Sequence, residues 1–389
     1  MINPVEQLDY EALALDLDAL FAEAKRELGD ADLLHMKKMI CWGRICTILG
    51  YGTAWILPNP VSMLLIAQGA TARWAIVAHH VLHGGLEKLP NTPKHLTRRG
   101  FAVGIRRPLD WMDWMLPEAW RYEHSVFHHY HTNEPIDPDL VEQNVQALHS
   151  PKIPLSWRYI ALVFFAFTWK LSYYAPNTFR VLQRANQAKS QGKSGLTTYK
   201  PNEASYAAVF DFRHLEGRNF WRICLLPYVL YRFLLIPMLF LPLGSWASFC
   251  VVLNSLGAEL FHNLYTFFLI VPNHAGDDVH RFQTGITDRT EFYVRQILGT
   301  VNYSTGGDIR DFLHGFLNYQ IEHHLWPELP PLAYQRLQPK VKSICLKHGV
   351  PYIQEPVWKR GLKLIDIIVG KSRMINSSTL KKSERPSKA

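Results

Sequence analysis

The hydrophobic residues of this chain are gathered into a few long stretches that polar blocks separate. Residues 40–57 and 60–78 form one closely spaced apolar pair, and residues 223–243 and 245–272 form a second pair. Each stretch has about the length that a helix needs to cross ~30 Å of hydrocarbon. Alternating patterns typical of strands are scarce elsewhere. The pattern therefore predicts an all-α integral membrane protein with four transmembrane helices in two hairpins.

A fifth apolar stretch, residues 155–176, carries Arg158, Lys170 and many aromatic side chains. If this segment crossed the membrane, the polar blocks before and after it would lie on opposite sides. The histidine clusters in those blocks could then not form one site. Because aromatic side chains such as Trp157 and Tyr173 favour the membrane–water interface, we predict an interfacial helix here.

The polar ends of the chain suggest its domain organisation. Residues 1–38 are predicted to form an amphipathic cytosolic segment, and residues 39–370 the membrane domain. The basic stretch 371–389 is poor in apolar residues and is predicted to be a disordered tail. Residues 187–206, which are rich in Gly, Ser and Lys, are interpreted as a flexible insertion.

The formal net charge is +9, and the positive residues crowd the polar blocks, whereas the connections 57–60 and 241–246 carry no charge. By the positive-inside rule, both hairpins enter the membrane from the cytoplasm. The polar blocks then face the cytoplasm from a bacterial cytoplasmic membrane, or from the endoplasmic reticulum if the chain is eukaryotic. No nucleic-acid-binding motif accompanies the basic charge, so a nucleic-acid partner is not predicted.

Three histidine clusters stand out among the 18 histidines of the chain. They are HHVLH at 79–83, HSVFHHYH at 124–131 and QIEHH at 320–324. On a helix, His79 and His83 share one face, roughly 6 Å apart at Cβ. Adjacent histidines, as in the pairs 128/129 and 323/324, point in different directions and suit two metal ions better than one. Imidazole nitrogen favours iron, zinc, copper or nickel over calcium or magnesium.

The last apolar stretch also contains ionisable residues. Glu259 and His262 lie within it, and His274 follows at its predicted cytoplasmic end. Ionisable groups at membrane depth usually have a function. Glu259 and His262 could equally pair with each other or with Arg232, so a role at the site stays open. His274 is the better candidate for a metal ligand.

Taken together, the clusters resemble the three histidine boxes of the membrane fatty acid desaturase family, HxxxH, HxxxHH and (H/Q)xxHH. The stretches HTNEPIDPD at 131–139 and GFLNYQIEHHLWPELP at 315–330 resemble that family too, and the resemblance covers roughly residues 40–350. It implies four transmembrane helices under a cytosolic, histidine-rich helical cap that holds two iron ions. The implied ligands are His79, His83, His124, His128, His129, His323 and His324, with His274 at the place of a further family histidine.

Two departures from the family pattern affect the expected partners. His80 stands where many members carry aspartate, so whether it supports the site is open. The glutamine form of the third box, with Gln320, resembles front-end desaturases, which often carry a fused b-type cytochrome with an HPGG motif. Because HPGG does not occur here, electrons from NAD(P)H are expected to arrive through a separate carrier such as a ferredoxin or a b-type cytochrome.

The resemblance implies an O2-dependent enzyme that uses two electrons to introduce a double bond into an acyl-lipid or acyl-thioester. Polar neighbours should orient the ligand rings. The candidates are His80, Asn133, Asp137, Asp139, Asp311, Asn318 and Gln320, any of which could instead serve a turn or a helix cap. We expect Gln320 to form hydrogen bonds beside the metal rather than to bind it. The alternatives are a hydroxylase or ketolase on the same scaffold and a non-enzymatic, zinc-binding membrane protein.

Overall fold

The computed structural model describes residues 9–192 and 210–377, and this part of the chain is mostly helical, as predicted. The helices are α1 (Tyr10–Glu27), α2 (Asp30–Ala54), α3 (Pro60–Leu82), α4 (Arg107–Asp110), α5 (Pro117–Tyr122), α6 (Val141–Asn144), α7 (Leu155–Trp169), α8 (Ala175–Ser190), α9 (Leu215–Leu243), α10 (Ser245–Ile270), α11 (Arg289–Leu298), α12 (Asp308–Leu313), α13 (Gln320–Leu325), α14 (Pro331–Lys347) and α15 (Val357–Val369). The strands are β1 (His280–Phe282), β2 (Asn302–Tyr303), β3 (Gln354–Glu355) and β4 (Ile375–Ser377).

Helices α2 and α3 form a closely packed hairpin. Helix α3 begins at Pro60 because Asn59 caps it, its side-chain oxygen accepting from the Ser62 amide at 2.8 Å. Glycines let the two helices approach each other: a Cβ on Gly69 would lie 2.1 Å from the Thr47 hydroxyl. The second half of α3 winds as a π-helix over Ala72–Ala78, directly before the first histidine cluster.

Helices α9 and α10 form the second hairpin, and α10 packs against α3. Asn254 joins the hairpins, since its amide nitrogen donates to the carbonyls of Ala54 and Leu57 at 2.8 and 3.0 Å. By length and composition, α3 and α9 are the two described helices that suffice to cross a membrane. Leucine, isoleucine and phenylalanine side chains are exposed along the outer faces of all four hairpin helices.

Helix α7 covers most of the stretch that was predicted to be interfacial, but the helix continues further. A π-helical segment, Lys170–Tyr174, leads from α7 into α8, which ends at Ser190. Helix α7 packs on α10, where Trp169 donates its indole N–H to the Asn263 carbonyl at 2.9 Å. The aromatic side chains of this stretch therefore serve internal packing as well as the outer face.

The remaining helices cover the ends of the two hairpins at which the histidines lie. Amphipathic α1 buries Leu13, Leu17 and Leu20, and it packs on α11 and α14. Phe21 stacks on Trp326, two residues after the third cluster, with ring centroids 5.4 Å apart. The acidic residues of α1 pair with basic α14, as in the contact of Lys340 with Glu23.

Two short parallel strand pairs, β1 with β4 and β2 with β3, tie the loops of this cap together. Residues 375–377 were predicted to belong to the disordered tail, but they form β4. This strand is held by the Ile375 amide, which donates to the Val279 carbonyl at 2.9 Å. The rest of that predicted tail (378–389), residues 1–8 and part of the predicted insertion (193–206) lie outside the described residues.

Candidate metal centre

The three histidine clusters and His274 meet at the cap-side ends of the hairpins. His79 and His83 lie at the end of α3, and His274 follows the end of α10. The π-helical segment Glu123–His128, which continues α5, contains His124 and His128, and His129 follows it directly. His323 and His324 lie on α13. All eight side chains are buried.

Two groups of converging side chains together contain all eight imidazoles, and a third group, formed by His124, His128 and Asp139, overlaps both. The first histidine group comprises His79, His83, His124, His129 and His323, and the second histidine group comprises His128, His274 and His324. Within each group, one ring nitrogen from every member lies within 4.8 Å of the others. Adjacent histidines are separated, since His128 and His129 belong to different groups, as do His323 and His324.

The nitrogens of the first histidine group converge closely. His79 Nε2 lies 2.8 Å from His323 Nε2 and 3.2 Å from His124 Nε2. His129 Nε2 is also 3.2 Å from His124 Nε2, and His83 Nε2 has no hydrogen-bond partner. A neutral ring nitrogen cannot donate to two neighbours at once. Nitrogens bound at 2.0–2.1 Å to one ion and at right angles are about 3.0 Å apart, so this spacing fits a shared metal.

Hydrogen bonds fix which ring nitrogen faces each group. The Tyr334 hydroxyl donates to the Trp326 carbonyl at 3.0 Å, so its oxygen is left to accept from His323 Nδ1 at 3.2 Å. His323 therefore carries its proton on Nδ1 and turns the Nε2 lone pair toward the other histidines. A partner on the outer nitrogen is typical of metal-binding imidazoles.

The second histidine group has polar or charged partners. His128 Nδ1 faces the Asp137 carboxylate at 3.2 and 3.3 Å, and His324 Nδ1 lies 2.9 Å from Gln296 Oε1. The Nε2 atom of His324 is buried without a partner. His274 Nε2 contacts the side-chain amide of Gln320 at 2.9 Å. Contacts at Nδ1 thus leave Nε2 of His128 and of His324 available, whereas in His274 the nitrogen without a partner is Nδ1.

Burial and neighbouring charges set the protonation of the histidines. Burial lowers the pKa of His83 to about 3, and it lowers the pKa of His124, His129 and His324 well below the ordinary value. These rings are therefore neutral at pH 7, which is the form that binds metal. Burial also lowers the pKa of His128, but the carboxylates of Asp137 and Asp139 outweigh it and raise that pKa.

Some of the predicted supporting residues lie beside the histidines, and others do not. Asp137 contacts His128, and the backbone amide of Asn133 donates to Asp137 at 2.8 Å from a left-handed conformation with φ of 59°. Asp139 Oδ2 lies 4.0 Å from His128 Nδ1, and its backbone amide donates to Asp137 at 2.9 Å. The loop after the second cluster therefore holds the carboxylate of Asp137 against one ring.

Asp311, Asn318 and His80, which were open candidates for orienting ligand rings, form their hydrogen bonds elsewhere. Asn318 Nδ2 donates to the Asp311 carboxylate at 2.7 Å, and the Tyr319 hydroxyl donates to the same carboxylate. Asp311 therefore fixes the turn before α13. His80 Nδ1 bonds to the Ile76 carbonyl of its own helix at 2.6 Å. Its ring packs against His323 but belongs to neither histidine group.

Sequence reasoning missed Gln296, Thr132 and Tyr334. Gln296 lies on α11 and joins both groups, since it contacts His324 and its Nε2 donates to the His129 carbonyl at 3.1 Å. Thr132, directly after the second cluster, lies 3.2 Å from His324 Nδ1. Its position was the one available signal, because Gln296 and Tyr334 are single polar residues far from the clusters.

Glu259 and His262 were left open between a role at the site and pairing with each other or with Arg232, and among the described residues their hydrogen bonds follow neither form of that pairing. Glu259 accepts from the Trp114 indole and from the Tyr228 hydroxyl. His262 Nε2 lies 3.3 Å from the buried ammonium of Lys170, which is bound to Asp113 at 2.6 Å. Arg232 donates to the Tyr51 hydroxyl instead. These groups have closer partners on α2, on α9, in the π-helical segment after α7 and in the 111–116 loop.

An apolar cavity of about 530 Å³ reaches the histidines from one side. Its histidine lining consists of His79, His124, His128 and His274. Aromatic and aliphatic side chains of α7 and α10, among them Phe165, Trp169 and Phe267, form much of its remaining wall, and Gln320 also lines it. A cavity of this size and character suits an elongated apolar ligand.

Comparison with known proteins gives consistent results. A family model described as fatty acid desaturase matches residues 53–356. The NADPH-dependent stearoyl-CoA 9-desaturase of Mycobacterium tuberculosis is 23% identical over 362 residues, which cover 88% of this chain and 75% of that protein. The Delta(5) fatty acid desaturase A of Dictyostelium discoideum is 25% identical over 252 residues, covering 61% of this chain and 49% of that protein. The Delta(8)-fatty-acid desaturase of Euglena gracilis is 41% identical over 80 residues, covering 21% of this chain and 19% of that protein.

Proposed function

The chain belongs to the fatty acid desaturase family, and from this we propose that it introduces a double bond into an acyl chain at a di-iron centre. Its relatives are named as desaturases, which are oxidoreductases. One observation carries the proposal for this chain: two groups of buried imidazoles border an apolar cavity. Such a cavity brings an unreactive hydrocarbon to metal-binding side chains.

The first histidine group would hold one iron ion and the second histidine group the other. Imidazole nitrogens suit iron, and the converging nitrogens of the first group supply a donor set of the required kind. When bound, the two irons would use O2 and two electrons to oxidise adjacent methylene carbons, which protein side chains cannot do. Burial of all eight rings keeps bulk water away from that reaction.

The chain's own residues would position both the metals and the substrate. Asp137, Gln296 and Tyr334 hold the outer nitrogens of three ligand rings, and so keep the inner nitrogens aimed at the ions. The apolar cavity would hold the acyl chain, because the side chains of α7 and α10 offer it no hydrogen-bond partner. Fixing the chain against His79 and His128 would select which carbons react.

We further propose that the substrate is an acyl-thioester or an acyl-lipid, and that NAD(P)H supplies electrons through a separate carrier. A relative named as acting on stearoyl-CoA supports the thioester form. A hydroxylase or ketolase on this scaffold is the alternative within the same chemistry. A zinc-binding protein without catalysis is the alternative outside it.

The same proposal includes the membrane arrangement. Four spans, of which α3 and α9 have the length and composition of membrane helices, would enter as two hairpins from the cytoplasm. The exposed apolar side chains on α2, α3, α9 and α10 support this arrangement, because such a belt is stable against lipid rather than water. The domain limits 1–38, 39–370 and 371–389 are proposed in outline only, since α2 (Asp30–Ala54) crosses the first limit and β4 (Ile375–Ser377) lies beyond the second. The active site is proposed to face the cytoplasm.

Lipid analysis of cells that express the chain would test the function. We expect a new double bond, seen as a mass loss of about 2 Da in one class of acyl chain, with O2 and a competent donor present. His128→Ala should abolish it, whereas exposed His214→Ala should not. A gain of about 16 Da would identify a hydroxylase, and zinc without any new product would favour the non-enzymatic alternative.

A further inference from the structure

A second cavity, which we call the polar crevice, meets the histidines at different rings from the apolar cavity. Its volume is about 1130 Å³, and His83, His129 and His324 contribute to its wall. The apolar cavity is lined by His79, His124, His128 and His274. The two cavities therefore share none of the eight imidazoles, and each offers its own route to the centre.

Basic side chains dominate the ionisable lining of the polar crevice. Lys88, Arg98, Arg99 and Arg121 line it, with Glu87 and Glu328 as its carboxylates. Arg98 binds Glu87 through its Nε and Nη2 atoms at 3.0 and 2.8 Å. Lys88, Arg99 and Arg121 are exposed, and no carboxylate of the described residues forms an ion pair with them. Three positive charges at the rim are thus available to a partner.

The rim is built against the metal-binding residues themselves. A Cβ on Gly84, which has φ of +83°, would lie 2.8 Å from Arg98 Nε, so this guanidinium packs on the backbone next to His83. Tyr130, the neighbour of His129, also lines the crevice and is 63% exposed. An exposed tyrosine among arginines is typical of protein interfaces.

We infer that the polar crevice is the docking surface for an acidic protein that carries one electron at a time. This inference rests on the proposed function, which requires two electrons for each double bond. The balanced reaction joins one CH2–CH2 unit, O2, two electrons and two protons to give CH=CH and two molecules of water. Two reduced carriers are oxidised in succession, and each would approach His83 and His129 from the basic rim.

A substrate head group fits the polar crevice less well. An acyl chain in the apolar cavity lies against His79, His124, His128 and His274, and the crevice contributes none of those rings. A phosphate-bearing head group in the crevice would therefore have the protein's histidine centre between itself and its own acyl chain. A protein carrier that docks by charge complementarity does not have to place any group beyond the histidines. Such complementarity also speeds association at low ionic strength.

Binding and turnover should be measured on the full chain in phosphatidylcholine nanodiscs, with variants that reverse the rim charges. The probe is a plant-type [2Fe–2S] ferredoxin, kept reduced by NADPH and its reductase, and reduced methyl viologen is the small-molecule donor for comparison. We expect Arg99→Glu with Arg121→Glu to raise the ferredoxin Kd by about tenfold or more and to raise its KM equally. The ratio of ferredoxin-driven to viologen-driven turnover should fall.

Lys359→Glu is the matched control, because Lys359 is an exposed basic residue of α15 outside the crevice. An unchanged Kd in the double variant, an equal effect in the control, or no ferredoxin binding by the unaltered chain would overturn the inference. Weaker binding of coenzyme A with unaltered ferredoxin binding would assign the crevice to a head group instead. If no double bond forms with either donor, the proposed function fails, while the Kd comparison still decides the docking surface.

Discussion

Five imidazoles form the first histidine group and three form the second, and the partners of their outer nitrogens differ in kind. Among the described residues, His323 of the first group has a tyrosine hydroxyl as partner, whereas His124 Nδ1 and His129 Nδ1 have none. In the second group, His128 faces a carboxylate and His324 faces an amide oxygen. His274 Nδ1, also of the second group, has no partner among the described residues. The smaller group thus has a carboxylate and an amide oxygen as partners of two of its three rings. Its metal affinity should depend more on those partners than that of the first group does.

Replacing one histidine in each group should have the largest effect and should distinguish the two groups. His324→Ala leaves two imidazoles in the second group, so we expect it to lose that ion, iron falling from about two to about one per chain, and to lose all desaturation. His83→Ala leaves four imidazoles in the first group and should retain more of its metal. Iron analysis of both purified variants tests this, and equal losses would remove the distinction.

Replacing the outer partners should have the next largest effect. Asp137→Asn keeps the shape but removes the charge that faces His128, and we expect a fall of about 10–100-fold in metal affinity of the second group or in activity. Tyr334→Phe, its counterpart on the first group, should cost less than tenfold. Competition with a metal chelator would measure both, and a greater effect of Tyr334→Phe would reverse the comparison.

The two groups should also respond differently to pH. The pKa of His128 is raised by the carboxylates of Asp137 and Asp139, so below that pKa the metal-free second group holds a proton that metal must displace. Its affinity for metal should therefore fall by up to about tenfold per pH unit as the pH drops below that pKa. In the first group the pKa values of His83, His124 and His129 are lowered, so this group should bind metal without this pH dependence near pH 7. Anaerobic iron titrations from pH 6 to pH 8 would show the difference, and Asp137→Asn should remove it.

The smallest expected effect concerns Gln320, whose amide contacts His274. Gln320→Ala should keep the full iron content and lower activity by about tenfold or less, because the amide orients a ring rather than holding the ion. Exposed Gln283→Ala is the matched control and should leave both unchanged. Loss of one iron in Gln320→Ala would instead make the glutamine a ligand and the second group a four-member set.

Much of the candidate site could be predicted from the spacing of the histidines, because helical geometry depends only on residues close along the chain. A separation of four residues puts His79 and His83 on one face, and adjacent histidines must diverge, as His323 and His324 do in the structure. That these rings bind metal stays a prediction. The predominantly helical fold followed from the long apolar stretches for the same local reason.

Contacts between distant segments could not be predicted in this way. Gln296 reaches His324 only because α11 packs beside α13, and nothing in the sequence around it marks that neighbour. For Glu259 and His262, proximity along the chain suggested pairing with each other as one alternative, but Trp114 and Lys170 supply their partners from other elements. Asp311 was a candidate because aspartate often orients metal ligands, but its carboxylate accepts from Asn318 and fixes a turn.

The π-helical segments before the first cluster and within the second have a consequence for insertions and deletions. In α3, Gly69 fixes the rotational phase of the helix against α2, and the wider turns of Ala72–Ala78 then set the phase of His79 and His83 separately. Because the wider turns hold more residues per turn, seven residues of this segment turn the chain about as far as six residues of a regular α-helix. Removing one residue, such as Val77, with a return to regular winding would therefore keep the phase of both imidazoles. A single-codon deletion inside Ala72–Ala78 should therefore lower metal content less than deletion of Val81, which lies between His79 and His83 in regular α-helix and would rotate one imidazole by about 100° relative to the other.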